Sequence, residues 1–194
     1  MIADLADFKK RLRFDDPKQL ISSFLFNQLP WALNSPERFH QFSFQIQKDW
    51  PFSSYIGLAG TANWRYSLNP KKLFSEYSKH SDIDVVVISA KHFQEVWDEM
   101  RATHRASWYL LSHDEKLRLR RLGENVYSGF ITPDWIHNRT NSLRFKYRVA
   151  LDRYSNDLVD YRKVSLRFFR SEKEVLDYYL RGLMLAKEQM IHGI

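Results

Sequence analysis

The chain has 194 residues, 44% of them hydrophobic and 27% charged, with six glycines, six prolines and no cysteine. That length is enough for one domain with a real core, and the composition excludes collagen-like, low-complexity and disulfide-stapled classes, along with cysteine-ligated zinc and thiol catalysis. The formal charge of +7 and a pI near 9.5 suit an anionic partner such as a nucleotide or nucleic acid without choosing between them.

The start, residues 1–14, is acidic and then basic, with no apolar run typical of a signal peptide. Val85–Ile88 and Trp108–Leu111 are among the longest apolar runs, far short of the ~20 residues that span a bilayer. No membrane association and a cytoplasmic, bacterial setting are therefore expected. Asp15-Asp16-Pro17 and Ser35-Pro36-Glu37 are helix starts, each followed by apolar residues at helical spacing: Leu20, Ile21, Phe24, Leu25 and Leu29, then Phe39, Phe42, Ile46 and Trp50. Pro51 stops the second helix. Phe14, Phe24, Phe26, Phe39, Phe42 and Phe44 are read as core packing.

The period then changes. Residues 54–59 read as a short strand entering Gly60-Thr61-Ala62-Asn63, and residues 81–89 (SDIDVVVIS) as a buried central strand. An amphipathic helix follows, with Phe93, Val96, Trp97, Met100, His104, Trp108 and Leu111 on one stripe, His104 being read as a half-buried core histidine. Residues 114–122 read as a short helix closed by Gly123, 126–134 as loop or short strand, 142–154 as helix and 163–170 as strand. Ser171 and Glu174 form the N-terminal signature of a last helix. The element order predicts an α+β fold: a mixed sheet with helical flanks at both ends, in one domain, with residues 1–50 a helical N-terminal extension and 51–190 the core.

Asp82 and Asp84 are the sharpest chemical feature. In a strand, residues i and i+2 share a face, so both carboxylates project together at its start. Such hard oxygen ligands suit Mg²⁺ or Mn²⁺ bridged to substrate phosphates. Upstream, Gly60 lets the backbone approach a phosphate, and the Thr61 hydroxyl and nearby amides supply donors. The alternative reading of Asp82 and Asp84 is a turn and a solvated strand end.

Ala59-Gly60-Thr61-Ala62 beside Ser81-Asp82-Ile83-Asp84-Val85-Val86-Val87 resembles the G-[GS] … D-x-D signature of the DNA polymerase β-like nucleotidyltransferase superfamily, in particular its small bacterial members. The likeness covers roughly residues 50–185. It implies a nucleotidyltransferase-like fold and a Mg²⁺- or Mn²⁺-dependent enzyme that moves a nucleoside monophosphate from an NTP to an acceptor, whether protein, RNA or nucleotide. Asp82 and Asp84 would be catalytic and hold the metal, while Gly60, Thr61 and Ser81 would bind the nucleotide. The family's third carboxylate, on a later strand beside these two, has no counterpart in residues 164–168. That strand offers Ser165 and Arg167, so Arg167 stands at the third-acid position or contacts a phosphate; Asp157 and Asp160 lie just before it. The other reading is a catalytically silent domain that binds DNA, RNA or a protein partner, as in a toxin–antitoxin or phage-defence module. The nine cations between Arg139 and Arg170 would form its nucleic-acid or triphosphate face, or else a solvated one.

Overall fold

The computed structural model describes residues 2–192. It is an α+β fold in which a four-stranded mixed sheet is covered by helices on both faces. The strands are β1 (Tyr55–Ala59), β2 (Ile83–Ile88), β3 (Phe130–Ile131) and β4 (Val164–Phe169), in spatial order β1-β2-β4-β3. β2 runs antiparallel to β1 and parallel to β4, and β3 lies antiparallel to β4. The consecutive β-branched residues of β2 thus occupy a central strand, buried on both sides, as such a run requires.

The helices begin where the cap residues dictate. Asp16 accepts from the Gln19 amide at the start of α2 (Pro17–Phe26), and Ser35 from the Arg38 amide at α3 (Pro36–Asp49). α6 (His113–Tyr127) opens with a reciprocal Ser112–Glu115 box. At α8 (Glu172–His192), the Glu174 carboxylate takes the Arg170 amide at 3.0 Å while its own amide bonds Ser171. α1 (Leu5–Phe14), α5 (Ala90–Ser107) and α7 (Ser142–Tyr154) complete the long helices.

Strand alternation sorts the core into two layers. Ile83, Val85, Val87, Leu166 and Phe168 pack under α3, α5 and α7; Val86, Ile88 and Phe169 pack under α1, α2 and α8. Residues 1–50 therefore contribute to both layers: Phe8, Leu12 and Phe24 to one, Phe42, Ile46 and Trp50 to the other.

Several local expectations fail for identifiable reasons. Phe14 and Phe44 are exposed, at 72% and 52%; Arg13 and Lys48 lie over their rings, so cations cover them in place of core. His104 is exposed and lies against Trp108, because only the first half of α5 reaches the sheet; buried Phe93 and Val96 mark its extent. Gly123 does not end its helix. α6 runs through it to Tyr127, and Gly129, with φ +90°, makes the reversal that Gly123 was expected to make.

One buried tyrosine carries a pH expectation. The Tyr147 hydroxyl donates to the Leu166 carbonyl at 2.7 Å, tying α7 to β4, and burial pushes its pKa up to about 12 from an ordinary value of about 10. The folded state holds this proton more tightly than the unfolded one. Its contribution is complete below pH ~10 and is lost as pH rises toward 12. Urea titrations from pH 9 to 12 should show a shallower alkaline loss of stability for Tyr147→Phe than for wild type; equal slopes would refute this.

Candidate functional site

β1 ends at Ala59, opposite Asp84 of β2, and delivers the chain into Gly60. The glycine has φ +65° and ψ −157°, a region open to residues without a Cβ. Its carbonyl accepts the amides of Asn63 and Trp64, turning the chain into the single helical turn α4 (Thr61–Trp64). The amides of Thr61 and Ala62 have no hydrogen-bond acceptor among the described residues. A Cβ at residue 60 would sit 3.2 Å from Asp84 Oδ2. The loop and the carboxylate are thus in direct apposition.

Asn63 anchors the loop from beneath. Its amide nitrogen donates to the carbonyls of Phe24 (2.7 Å) and Leu58 (2.6 Å), and it is buried. Trp64 stacks on Phe24 and meets the edge of Tyr179. Its indole N–H is buried without a hydrogen-bond partner among the described residues.

Parallel pairing of β2 with β4 sets Ser165 against Asp84 and Arg167 two residues further along. The Ser165 hydroxyl donates to Asp84 Oδ1 at 2.6 Å. The Arg167 guanidinium lies 3.5 Å from the same oxygen, with Tyr179 Oη 3.5 Å from its other nitrogen. Burial acts to lower the Arg167 pKa, but Tyr179 and Asp84 outweigh it and the net shift is upward. Burial chiefly drives the Tyr179 hydroxyl up as well, keeping it neutral while its oxygen accepts from Arg167. Alternation along β4 does bring Arg167 to Asp84. Tyr179 and Trp64 carry no site signal in the sequence.

The remaining candidate residues are placed less closely. Asp82 is exposed and immediately precedes β2, while Asp84 is half-buried within it. The Ser81 hydroxyl accepts the Ser78 amide at 2.9 Å and so serves the turn before β2. Asp160 pairs with Arg38 at 3.5 Å; Asp157 lies in a 3₁₀ turn, Asp157–Val159. Among the described residues no three acidic, His or Cys side chains gather into a metal site.

The chemistry of the donor set points the same way. Asp84 Oδ1 already takes a hydroxyl and faces a fixed cation, which repels a dication at that oxygen. At Asp84 Oδ1 the donor set therefore disfavours a resident divalent metal. Several cations of the basic segment are committed to partners: Arg148 pairs with Asp134, Arg153 with Asp49, and Arg162 bonds the Ser78 carbonyl.

Family models, curated proteins and solved structures were all compared with the chain, and none matches. The geometry of Gly60, Asp84, Ser165 and Arg167 is therefore what bears on function. No helix among the described residues is long and apolar enough to cross a membrane.

Proposed function

We propose that the chain is a nucleotidyltransferase-like domain that binds a nucleotide through the Gly60–Thr61 loop and Arg167, and that it performs little or no nucleotidyl transfer by itself. The observation that carries this reading is the Arg167–Asp84 pair at 3.5 Å, where the resemblance expects a third carboxylate. An arginine neither ligates a metal nor accepts a proton, but its fork of donors suits a phosphate oxygen. The unbonded amides of Thr61 and Ala62, which follow the Gly60 that faces Asp84, would add donors. A phosphate drawn to Arg167 would compete with Asp84 for the guanidinium, so nucleotide binding and the Asp84 pair are alternatives for Arg167.

The transferase reading keeps Asp82 and Asp84 as the metal ligands, with Mg²⁺ or Mn²⁺ arriving on the NTP. Incubation with labelled NTPs, either cation, and RNA, DNA or protein acceptors separates the two. Binding without transfer is expected, with affinity falling at least tenfold in Arg167→Ala. Robust transfer that vanishes in Asp84→Ala would overturn the proposal in favour of the enzyme. Undiminished binding by a folded Arg167→Ala protein would remove Arg167 from the site.

A further inference from the structure

On the other side of the sheet from Asp84, α6 and the segment that follows β3 enclose a cavity of about 120 Å³. Arg118 projects from α6, Arg139 from the loop before α7, and Arg144 from the first turns of α7. α7 packs its Tyr147 and Ala150 into the α3–α5 layer, whereas Arg167 shares the other face of β4 with Phe169, which packs under α8.

The charges around the cavity do not cancel. Asp134 is shared between Arg148, at 2.7 Å, and Arg144, at 3.8 Å. Glu115 has both the Ser112 amide and hydroxyl at 2.8 Å, and His137 lies 3.5 Å away. The Ser112 bonds lead in holding the Glu115 carboxyl below its usual range, so it stays an anion committed to the helix cap. Arg118 and Arg139 have no ion-pair partner among the described residues. Three arginines line the cavity against two carboxylates, and one of those carboxylates, Asp134, is held mainly by Arg148 from outside the lining.

Arg144 is fixed for a ligand before one arrives. Its side chain is 12% exposed and donates to the carbonyls of Ile136 (2.8 Å) and His137 (3.4 Å). Burial first, then the charges of Arg148, Arg139 and Arg118, depress its pKa against the pull of Asp134. An anion among these groups would relieve their mutual repulsion. The far wall is apolar, formed by Leu119, Leu122 and Ile136. Beyond Glu115 and His137 a wider cleft of about 690 Å³ runs along Ala102 and Ala106 of α5 and again includes Arg139. The cavity has room for a compact anionic group, and the cleft has room for whatever is attached to it.

We propose that this cavity binds the phosphate group of a phosphomonoester, held by Arg118, Arg139 and Arg144, with the organic remainder of the ligand in the adjoining cleft. A monoester near neutral pH carries about −1.5 to −2 and presents three acceptor oxygens, one for each of the three lining arginines, whereas a nucleic-acid diester presents two unshared oxygens and one charge per phosphate. The assignment does not depend on the reading of the Asp84 site.

Calorimetry at low salt with inorganic phosphate and phenyl phosphate tests it on the whole protein. Wild type should bind both, and Arg118→Gln/Arg139→Gln should bind at least tenfold more weakly. Both side chains are exposed, so the variant should keep its circular dichroism spectrum and melting temperature. Lys9→Gln/Arg13→Gln removes the same charge from α1 and should bind like wild type. Three results would overturn the proposal: no binding by wild type, equal loss in the α1 variant, or tighter binding of a short oligonucleotide lacking terminal phosphates than of phenyl phosphate.

Discussion

Gly60→Val should lose nucleotide affinity by at least tenfold while the protein remains folded. Two effects combine at this position. A φ of +65° with ψ −157° costs a residue with a Cβ roughly 1–3 kcal/mol, and β-branching stiffens valine further. The added Cβ would also meet Asp84 Oδ2 at 3.2 Å, tighter than ordinary van der Waals contact. The backbone must rotate or the carboxylate must move, and either change displaces the amides of Thr61 and Ala62 relative to Arg167. Gly60→Ala should show a smaller loss of the same kind, since it meets the same backbone strain without the branched methyls. Fluorescence titration with an NTP, paired with thermal melts, reads both quantities. Wild-type affinity in a folded Gly60→Val protein would take the loop out of the site.

Phe168→Ala should destabilise the fold far more than any of the site substitutions, by about 3–5 kcal/mol. Phe168 is fully buried in β4, opposite Val87 and Ile131 in the strand register. Its ring centroid is 4.9 Å from that of Trp50 and 5.5 Å from that of His92. Truncation therefore opens a cavity where α3, α5 and the sheet converge. At about 2–4 °C per kcal/mol for a chain of this size, the melting temperature should fall by roughly 6–20 °C. That is a large share of a typical stability of about 5–15 kcal/mol, so the variant should be measured at low temperature and by urea titration. A loss under 1 kcal/mol would mean that the core around Phe168 closes over the missing ring.

Much of this architecture is legible locally. Asp16, Ser35 and Ser171 mark helix starts because a short polar side chain bonds an amide a few residues on. The valines of β2 mark a strand buried on both faces. The alternation of β4 alone puts Arg167 beside Asp84, since Val164, Leu166 and Phe168 have to face the core. Helical periodicity overreaches at α5, where the stripe continues past the end of the sheet it packs on and leaves His104 exposed. Gly123 misleads because composition does not report φ. The role of Tyr179 is hidden for another reason: it lies over ten residues further along the chain than Arg167, and only packing brings the two together. The two-residue β3 is too short to carry a period.

The parallel register of β2 with β4 also sets an order of assembly. β1 and β2 are close in sequence and can pair early, whereas Asp84 and Ser165 are 81 residues apart; closing so long a loop is entropically costly and slows folding. Until β4 docks, one edge of β2 presents the backbone of Val85, Val86 and Val87 with no neighbour, the kind of edge on which chains aggregate. Asp84 meanwhile has neither its hydroxyl donor nor its cation. On a ribosome this interval lasts for the synthesis of α5, α6 and α7. A product terminated after α7 would carry the open edge permanently, so truncation should yield insoluble protein rather than a smaller working domain.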